Sequence, residues 1–215
     1  VVEENDVEYK STHLGQMHSC GHDGHMAMAL SVIEYFAGIK NELKGNIKVI
    51  FQPGEENVGG AEPMIKLGAL KGVDYIFGYH IWPDVDQFKF GIADTVVMSA
   101  ADAFDVKIIG KGGHSGMPER AINPVDVINE IMNRFNILKE HDCKLVITQV
   151  HIGNVSNVIA AEGEFTITLR TKDETLRQLL LKEMKRAVVE VCDSFGADYI
   201  YDHARAYPST VNDIE

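Results

Sequence analysis

Cysteine is scarce in this chain: Cys20, Cys143 and Cys192 are the only three in 215 residues. An odd, widely spaced set makes no disulfide framework, so a reducing compartment, and with it a cytoplasmic location, is expected. Long hydrophobic runs are missing too, and nothing approaches the roughly 20 apolar residues that cross a bilayer. Basic residues are outnumbered, 20 Lys and Arg against 32 Asp and Glu, for a formal net charge of −12. That balance argues against nucleic acid and anionic lipid as partners, and the acidic residues are dispersed along the chain. There is no low-complexity tract. The opening VVEENDVEY has no Met, no charged n-region and no apolar h-region, so no secretory signal is read there. The gene is expected to begin further upstream.

What is present is material for a core. Hydrophobic residues make up 45% of the chain and charged residues 24%, as in soluble globular proteins. The length fits one large domain or two small ones. MAMALSVIEYFAGIK (26–40) is apolar on nearly all sides and suits a buried helix. GNIKVIFQPG (45–54) and VDYIFGYHIW (73–82) read as apolar strands, with GGAEPMIKLGAL (59–70) as a short helix between them. Alternating helix and strand predicts a mostly parallel sheet covered on both faces.

From about residue 102 the pattern changes. ADAFDVKIIG (101–110) alternates, with Phe104, Val106 and Ile108 on one face. After a glycine-rich loop, Asn123 stands as a helix N-cap and Pro124 as the first helical residue. KLVITQVHIG (144–153) and GEFTITLRTK (163–172) read as strands of period two. TLRQLLLKEMKRAVVEVCDSFG (175–196) is an amphipathic helix with Gly196 as its stop, and ADYIYDHARA (197–206) is a last strand. The succession is β-α-β-β-α-β, the split arrangement of a ferredoxin-like domain.

The chemistry-bearing residues cluster in the first half. Cys20 and His22 flank Gly21 just before the first helix, and a tight turn there converges a thiolate and an imidazole on one cation. The alternative is a structural thiol beside a capping imidazole. Glu55 and Glu56 follow an apolar strand, where open α/β sheets place ligand sites. Two adjacent carboxylates suit two roles, one a metal ligand and the other a proton carrier; the alternative is a solvated acidic loop. His80 lies inside an apolar strand, and a lone histidine there is commonly a hydrogen-bonded core residue. With three other donors nearby in sequence, a metal explains it better. Thiolate, imidazole and carboxylate together suit Zn, Co, Ni or Mn, and a spare carboxylate beside such an ion can take a proton from water.

MHSCGHDGHMAMAL, FQPGEENVGGAEPMI, GYHIW, GKGGHSGMPERAINPV and NVSNVIAAEGEFTITLR stand in this order over residues 17–170. Together they resemble the M20 metallopeptidase superfamily, best its amidohydrolase branch of hippurate hydrolases, indole-acetyl-amino-acid hydrolases and N-acyl-amino-acid deacylases. The resemblance implies a dinuclear centre of two divalent ions, with Cys20, His22, Glu56 and His80 as ligands, Glu55 as general base and Asp23 orienting a ligand. His18 and His25 are left unassigned, read as structural residues or supports of a ligand rather than as ligands. It further implies a second domain that dimerises and offers His114 to the neighbouring subunit's oxyanion. Asn157 and Arg170 would hold the substrate carboxylate, with Asn154 as a rival for Asn157. Arg170 is expected on the face of Thr166 and Thr168, opposite Phe165, Ile167 and Leu169.

The expected fold class is therefore α/β: part of a mostly parallel metallopeptidase-type sheet domain plus a ferredoxin-like dimerisation (lid) domain. The expected boundaries are 1–97 for the partial catalytic domain, 98–207 for the lid domain and 208–215 for the start of a return. In the resembled family the catalytic domain begins earlier and resumes after the inserted domain with a last histidine ligand, so this chain is expected to be a fragment, inactive alone. The expected activity of the whole is hydrolysis of the amide bond of an N-acyl amino acid or related small amide, by a homodimer. Two other readings stand beside it: a non-catalytic dimerisation or binding module, and a cysteine hydrolase using Cys20 with His22 or His80.

Overall fold

The computed structural model describes residues 1–56 and 59–213, with the backbone alone at 204 and 205. Positions 57 and 58 of the FQPGEENVGG motif, and the last two residues of the expected return segment, lie outside the described residues. The chain divides into two units, Val1–Phe90 and Gly91–Glu215. It is mixed α/β, and every ladder described is antiparallel.

The first unit carries helices α1 (His22–Gly38) and α2 (Ala61–Lys66). Gly21 caps α1 with φ +76°, a left-handed conformation that glycine adopts without steric cost, so the helix starts at His22, ahead of the apolar run. Neither 45–54 nor 73–82 carries a strand or bridge among the described residues, so no ladder of the expected parallel sheet is described there. A strand exists only through the bonds of a partner, and two apolar runs do not by themselves pair. The expected burial of α1 is also corrected, since none of its residues is buried. Residues 1–90 supply two helices and no described ladder, too little to cover a helix that is apolar all round.

The second unit runs β1 (Val96–Met98), β2 (Ala100–Ile109), β3 (Gly113–His114), α3 (Pro124–Leu138), β4 (Cys143–Ile152), β5 (Val158–Ile159), β6 (Glu162–Thr171), α4 (Glu174–Phe195), β7 (Asp198–Tyr207) and β8 (Thr210–Val211). The main sheet has the order β4-β6-β2-β7, while β1 pairs β8 and β3 pairs β5. Asn123 caps α3 by accepting from the Val125 N–H at 3.1 Å, and Asp173 caps α4 by accepting from the Leu176 N–H at 2.6 Å. Gly196 ends α4 in the left-handed conformation, φ +67°. One face of the sheet supplies Phe104, Val106, Ile108, Phe165, Ile167 and Leu169, all buried, to a core shared with Ile131 and Phe135 of α3 and Leu180, Met184 and Val188 of α4. The period-two reading fails along β4, where a register shift between Ile147 and Gln149 breaks the alternation.

One charge sits inside this core face. Asp102, 2% exposed, accepts from Arg177 Nε at 2.7 Å and Nη2 at 2.8 Å, and from His203 Nε2 at 2.8 Å. Arg177 also donates to both oxygens of Glu174, at 3.0 and 3.1 Å. The Asp102 bonds, outweighing desolvation, hold the guanidinium firmly charged. His203 lies flat on Phe104, ring centres 4.3 Å apart. The fork-to-fork pair ties β2 to the start of α4 with fixed geometry. Asp102→Ala leaves the buried Arg177 with only the half-exposed Glu174 as counter-charge, so a loss of about 3 kcal/mol is expected, read as a lower urea midpoint of the second unit.

Candidate metal centre

The first turn of α1 and the segment around residue 80 are brought together by one side chain. A Cβ added at Gly24 would lie 2.9 Å from Ile81 Cδ1, and one at Gly21 would lie 3.3 Å from it. A side chain at Gly24 would displace the tip of Ile81, and one at Gly21 would crowd it. Cys20 Sγ thereby comes 3.4 Å from His80 Nε2. His80 Nδ1 lies 2.6 Å from the Ile81 carbonyl. A carbonyl only accepts, so the neutral ring carries its proton on Nδ1 and turns the Nε2 lone pair toward Cys20. Burial, then the hydrogen bond and charge of Glu56 and the charge of Glu55, push the Cys20 thiol up from its ordinary pKa.

The acidic pair comes from a folded-back loop. Gly59 N–H donates to the Gly54 carbonyl at 2.8 Å, and a Cβ at Gly60 would meet the Pro53 carbonyl oxygen at 2.0 Å. Glu55 and Glu56 lie in the turn so closed, both exposed. His22 Nε2 stands 3.6 Å from Glu55 Oε2 and 3.7 Å from Glu56 Oε1. The donor atoms form two groups that share His22: Cys20, His22 and His80, and His22, Glu55 and Glu56, with the atoms of each group within 4.8 Å of one another.

These spacings fit a metal. Zinc takes sulfur at about 2.3 Å and nitrogen or oxygen at about 2.0–2.2 Å, so two ligands on one tetrahedral ion sit about 3.5 Å apart. The Cys20–His80 and His22–Glu distances are already near that figure. The mixture of sulfur, nitrogen and oxygen donors is the borderline set of a late first-row ion.

The other expected site residues fall in different places. Asp23 is exposed in the first turn of α1, and its charge acts on His25; among the described residues no hydrogen bond joins it to a donor of the cluster. His25 lies one turn beyond His22 on the same helix face, and its Nε2 accepts the Ile81 N–H at 2.9 Å. Burial, and then the His80 and His22 rings, lower its pKa. His18 is exposed. Sequence reading set His25 aside as a structural or supporting residue without naming what it holds, and it missed Ile81; the signal it had was the three-residue spacing of His22 and His25.

In the second unit β3 pairs with β5, and the Ser115 N–H donates to the Asn157 carbonyl at 3.1 Å, so His114 and Asn157 stand side by side. The glycine-rich loop is pinned at its base, Lys111 and Ile122 exchanging backbone bonds of 2.9 Å. His114 Nδ1 accepts the Gly116 N–H at 3.0 Å, which leaves the proton of the neutral ring on Nε2 as an outward donor. A cleft of about 410 Å³ opens beside this strand pair, lined in part by Ser115, Asn123, Asn154 and Ser156. Asn154, the rival of Asn157, is thus in the cleft wall. Arg170 is exposed on the open face of β6, with Thr166 and Thr168, while Phe165, Ile167 and Leu169 are buried.

A mixed α/β chain that gathers sulfur, nitrogen and oxygen donors around paired carboxylates defines a metallohydrolase-type site. The comparison with known families is specific: residues 1–214 match the peptidase family M20/M25/M40, and the chain belongs to that family. It is 36% identical to an N-acyl-L-amino acid amidohydrolase of Geobacillus stearothermophilus, over 99% of this chain and 59% of that protein. It is 37% identical to thermostable carboxypeptidase 2 of Saccharolobus solfataricus, over 100% of this chain and 57% of that one. The structure superposes on the Bacillus subtilis YXEP protein, a dinuclear metal binding peptidase of the M20 family, with a TM-score of 0.79 and 31% identity, covering 99% of this chain and 55% of that one. The chain thus spans less than two thirds of the relatives it matches.

Two outcomes are expected. Gly60→Ala should force the acidic turn open and weaken zinc uptake, seen by titration against a competing chromophoric chelator, with the unfolding midpoint of the second unit unchanged. Cys20 should be alkylated by iodoacetamide faster once metal is stripped by chelation, whereas Cys192, buried and pushed up to about 11, should resist in both states until the chain is denatured, as peptide mass spectrometry would show.

Proposed function

We propose that the protein is a metal-dependent amidohydrolase that cleaves the amide bond of an N-acyl amino acid or a related small amide. The observation that carries this reading is the placing of Glu55 and Glu56 on one turn, with His22 Nε2 within 3.7 Å of both carboxylates. Of two adjacent acids held beside a metal-ligating imidazole, one serves the ion and the other is left to move protons. The names of the relatives support the substrate class: an N-acyl-L-amino acid amidohydrolase, and an N-acetylcysteine deacetylase of Bacillus subtilis that is 32% identical over 99% of this chain and 58% of that protein.

In this reading Cys20, His22, Glu56 and His80 hold two divalent ions, drawn from Zn, Mn, Ni or Co. The ions supply positive charge and Lewis acidity, which make water a nucleophile near neutral pH. Glu55 accepts the proton of the attacking water and delivers it to the leaving nitrogen, one carboxylate serving as base and then as acid. Asp23 adds negative charge to the first turn of α1. The His114 Nε2–H donates to the oxyanion as it forms, and Arg170, with Asn157 or Asn154, anchors the free carboxylate of the substrate.

The rest of the reading concerns the whole protein. The first part, 1–97, belongs to a catalytic domain whose parallel sheet and last histidine ligand draw on further family length. Residues 98–207 form a ferredoxin-like lid domain through which two copies pair, each giving His114 to the other's site, and 208–215 begin the return. A small-molecule substrate and a cytoplasmic location complete the proposal.

Two experiments on the full-length protein test it. Glu55→Gln should keep its metal content by elemental mass spectrometry yet lose about 10²–10⁴-fold in kcat, whereas Glu56→Gln should lose metal as well. Full turnover in Glu55→Gln would remove the general-base role. Arg170→Ala should raise KM for an N-acyl amino acid by roughly 10- to 100-fold, the worth of a hydrogen bond to a charged group, and leave KM for the corresponding amide, which lacks the carboxylate, nearly unchanged.

A further inference from the structure

We infer that His25 is a positioning residue for the metal centre, one that aims His80 by gripping the backbone of Ile81. The inference rests on the metal-binding reading above. Ile81 is held at both of its backbone polar groups by imidazoles: its N–H donates to His25 Nε2 at 2.9 Å, and its carbonyl accepts from His80 Nδ1 at 2.6 Å. His25 is fixed from the other side. It belongs to the first turn of α1, and its own carbonyl accepts from Tyr79 Oη at 3.2 Å. The His25 ring also stands edge-on to His80, with centres 4.5 Å apart and planes at 69°, which restricts rotation of the His80 ring.

The consequence concerns orientation. The Ile81 carbonyl can select the Nδ1–H tautomer of His80 only if the residue 81 backbone keeps its direction, and the bond to His25 is what fixes its amide end. The tautomer in turn leaves the His80 Nε2 lone pair facing Cys20 Sγ, 3.4 Å away. His25 is therefore spent on the backbone and is not itself a ligand through Nε2. Outer-shell partners of this kind hold a ligand's tautomer and ring plane, and their loss typically weakens metal affinity about 10–100-fold.

The test compares the parent chain with His25→Gln, whose side-chain carbonyl can still accept the Ile81 N–H, and His25→Phe, which fills the space without an acceptor. Cobalt(II) affinity and the thiolate-to-cobalt absorption band are measured on each. The His80 tautomer is read separately, from nitrogen-15 shifts of histidine in the metal-free chain. A loss of about 10–100-fold in cobalt affinity with a changed band in His25→Phe, and recovery of most of it in His25→Gln, is expected. Parent-like affinity and spectrum in His25→Phe would overturn the positioning role while leaving the metal reading standing, and an equal loss in both variants would also overturn it. Should the parent bind no cobalt, the metal reading fails, and the tautomer decides the inference by itself. A proton kept on Nδ1 of His80 in parent and His25→Gln, but shared between both nitrogens in His25→Phe, supports it; the same tautomer in all three overturns it.

Discussion

The close approach of Ile81 to two glycines is the constraint on which the candidate centre depends. Cys20 and His22 belong to the entry of one helix, and His80 lies some sixty residues away in the chain. They meet because Gly21 and Gly24 leave a gap in the first turn of α1 into which the Ile81 side chain fits. The same contact presents the Ile81 backbone to His25 and His80, so packing and hydrogen bonding enforce one another. A methyl group at Gly24 would press on the tip of the Ile81 side chain, which would have to shift, and one at Gly21 would crowd the same atom. Gly21 carries a second demand, its positive φ, which starts the helix at His22.

The two units are stabilised differently. The second has a core in the ordinary sense, with the apolar face of β2 and β6 closed by α3 and α4, and it accommodates the buried Asp102 because Arg177 and His203 satisfy both carboxylate oxygens. The first unit leaves large apolar side chains such as Phe77, Phe88 and Leu67 more than 85% exposed. Its donor cluster is accordingly set by local devices: a left-handed glycine, a loop closed by Gly54 and Gly59, and imidazole tautomers selected by the N–H and carbonyl of Ile81. Such devices hold atoms in place over short chain distances without a deep core.

Local signals were legible wherever the backbone chemistry was local. Asn123 with Pro124, and Gly196, marked a start and a stop that the structure confirms, because capping and a left-handed stop involve only neighbouring residues. The alternation of Phe104, Val106 and Ile108 correctly named a buried face, since a strand with one face covered must alternate. The strands read at 45–54 and 73–82 failed for the converse reason: hydrophobicity shows that a segment avoids water, while a ladder requires a partner that the segment does not encode. The irregular burial of β4 was hidden because a bulge arises between two strands and belongs to neither alone.

The same division holds for the site. The sequence by itself determined which donor types were present, the turn that Gly21 allows between Cys20 and His22, and the adjacency of Glu55 and Glu56, since all of these are matters of residue identity and spacing along a few bonds. Only the tertiary structure decided that His80 faces Cys20, that His22 stands between the two carboxylates, and that His25 bonds to a backbone amide and not to the cluster. Those are relations between segments distant in the chain. They follow from side-chain volume and hydrogen-bond direction in three dimensions, which one-dimensional spacing does not carry.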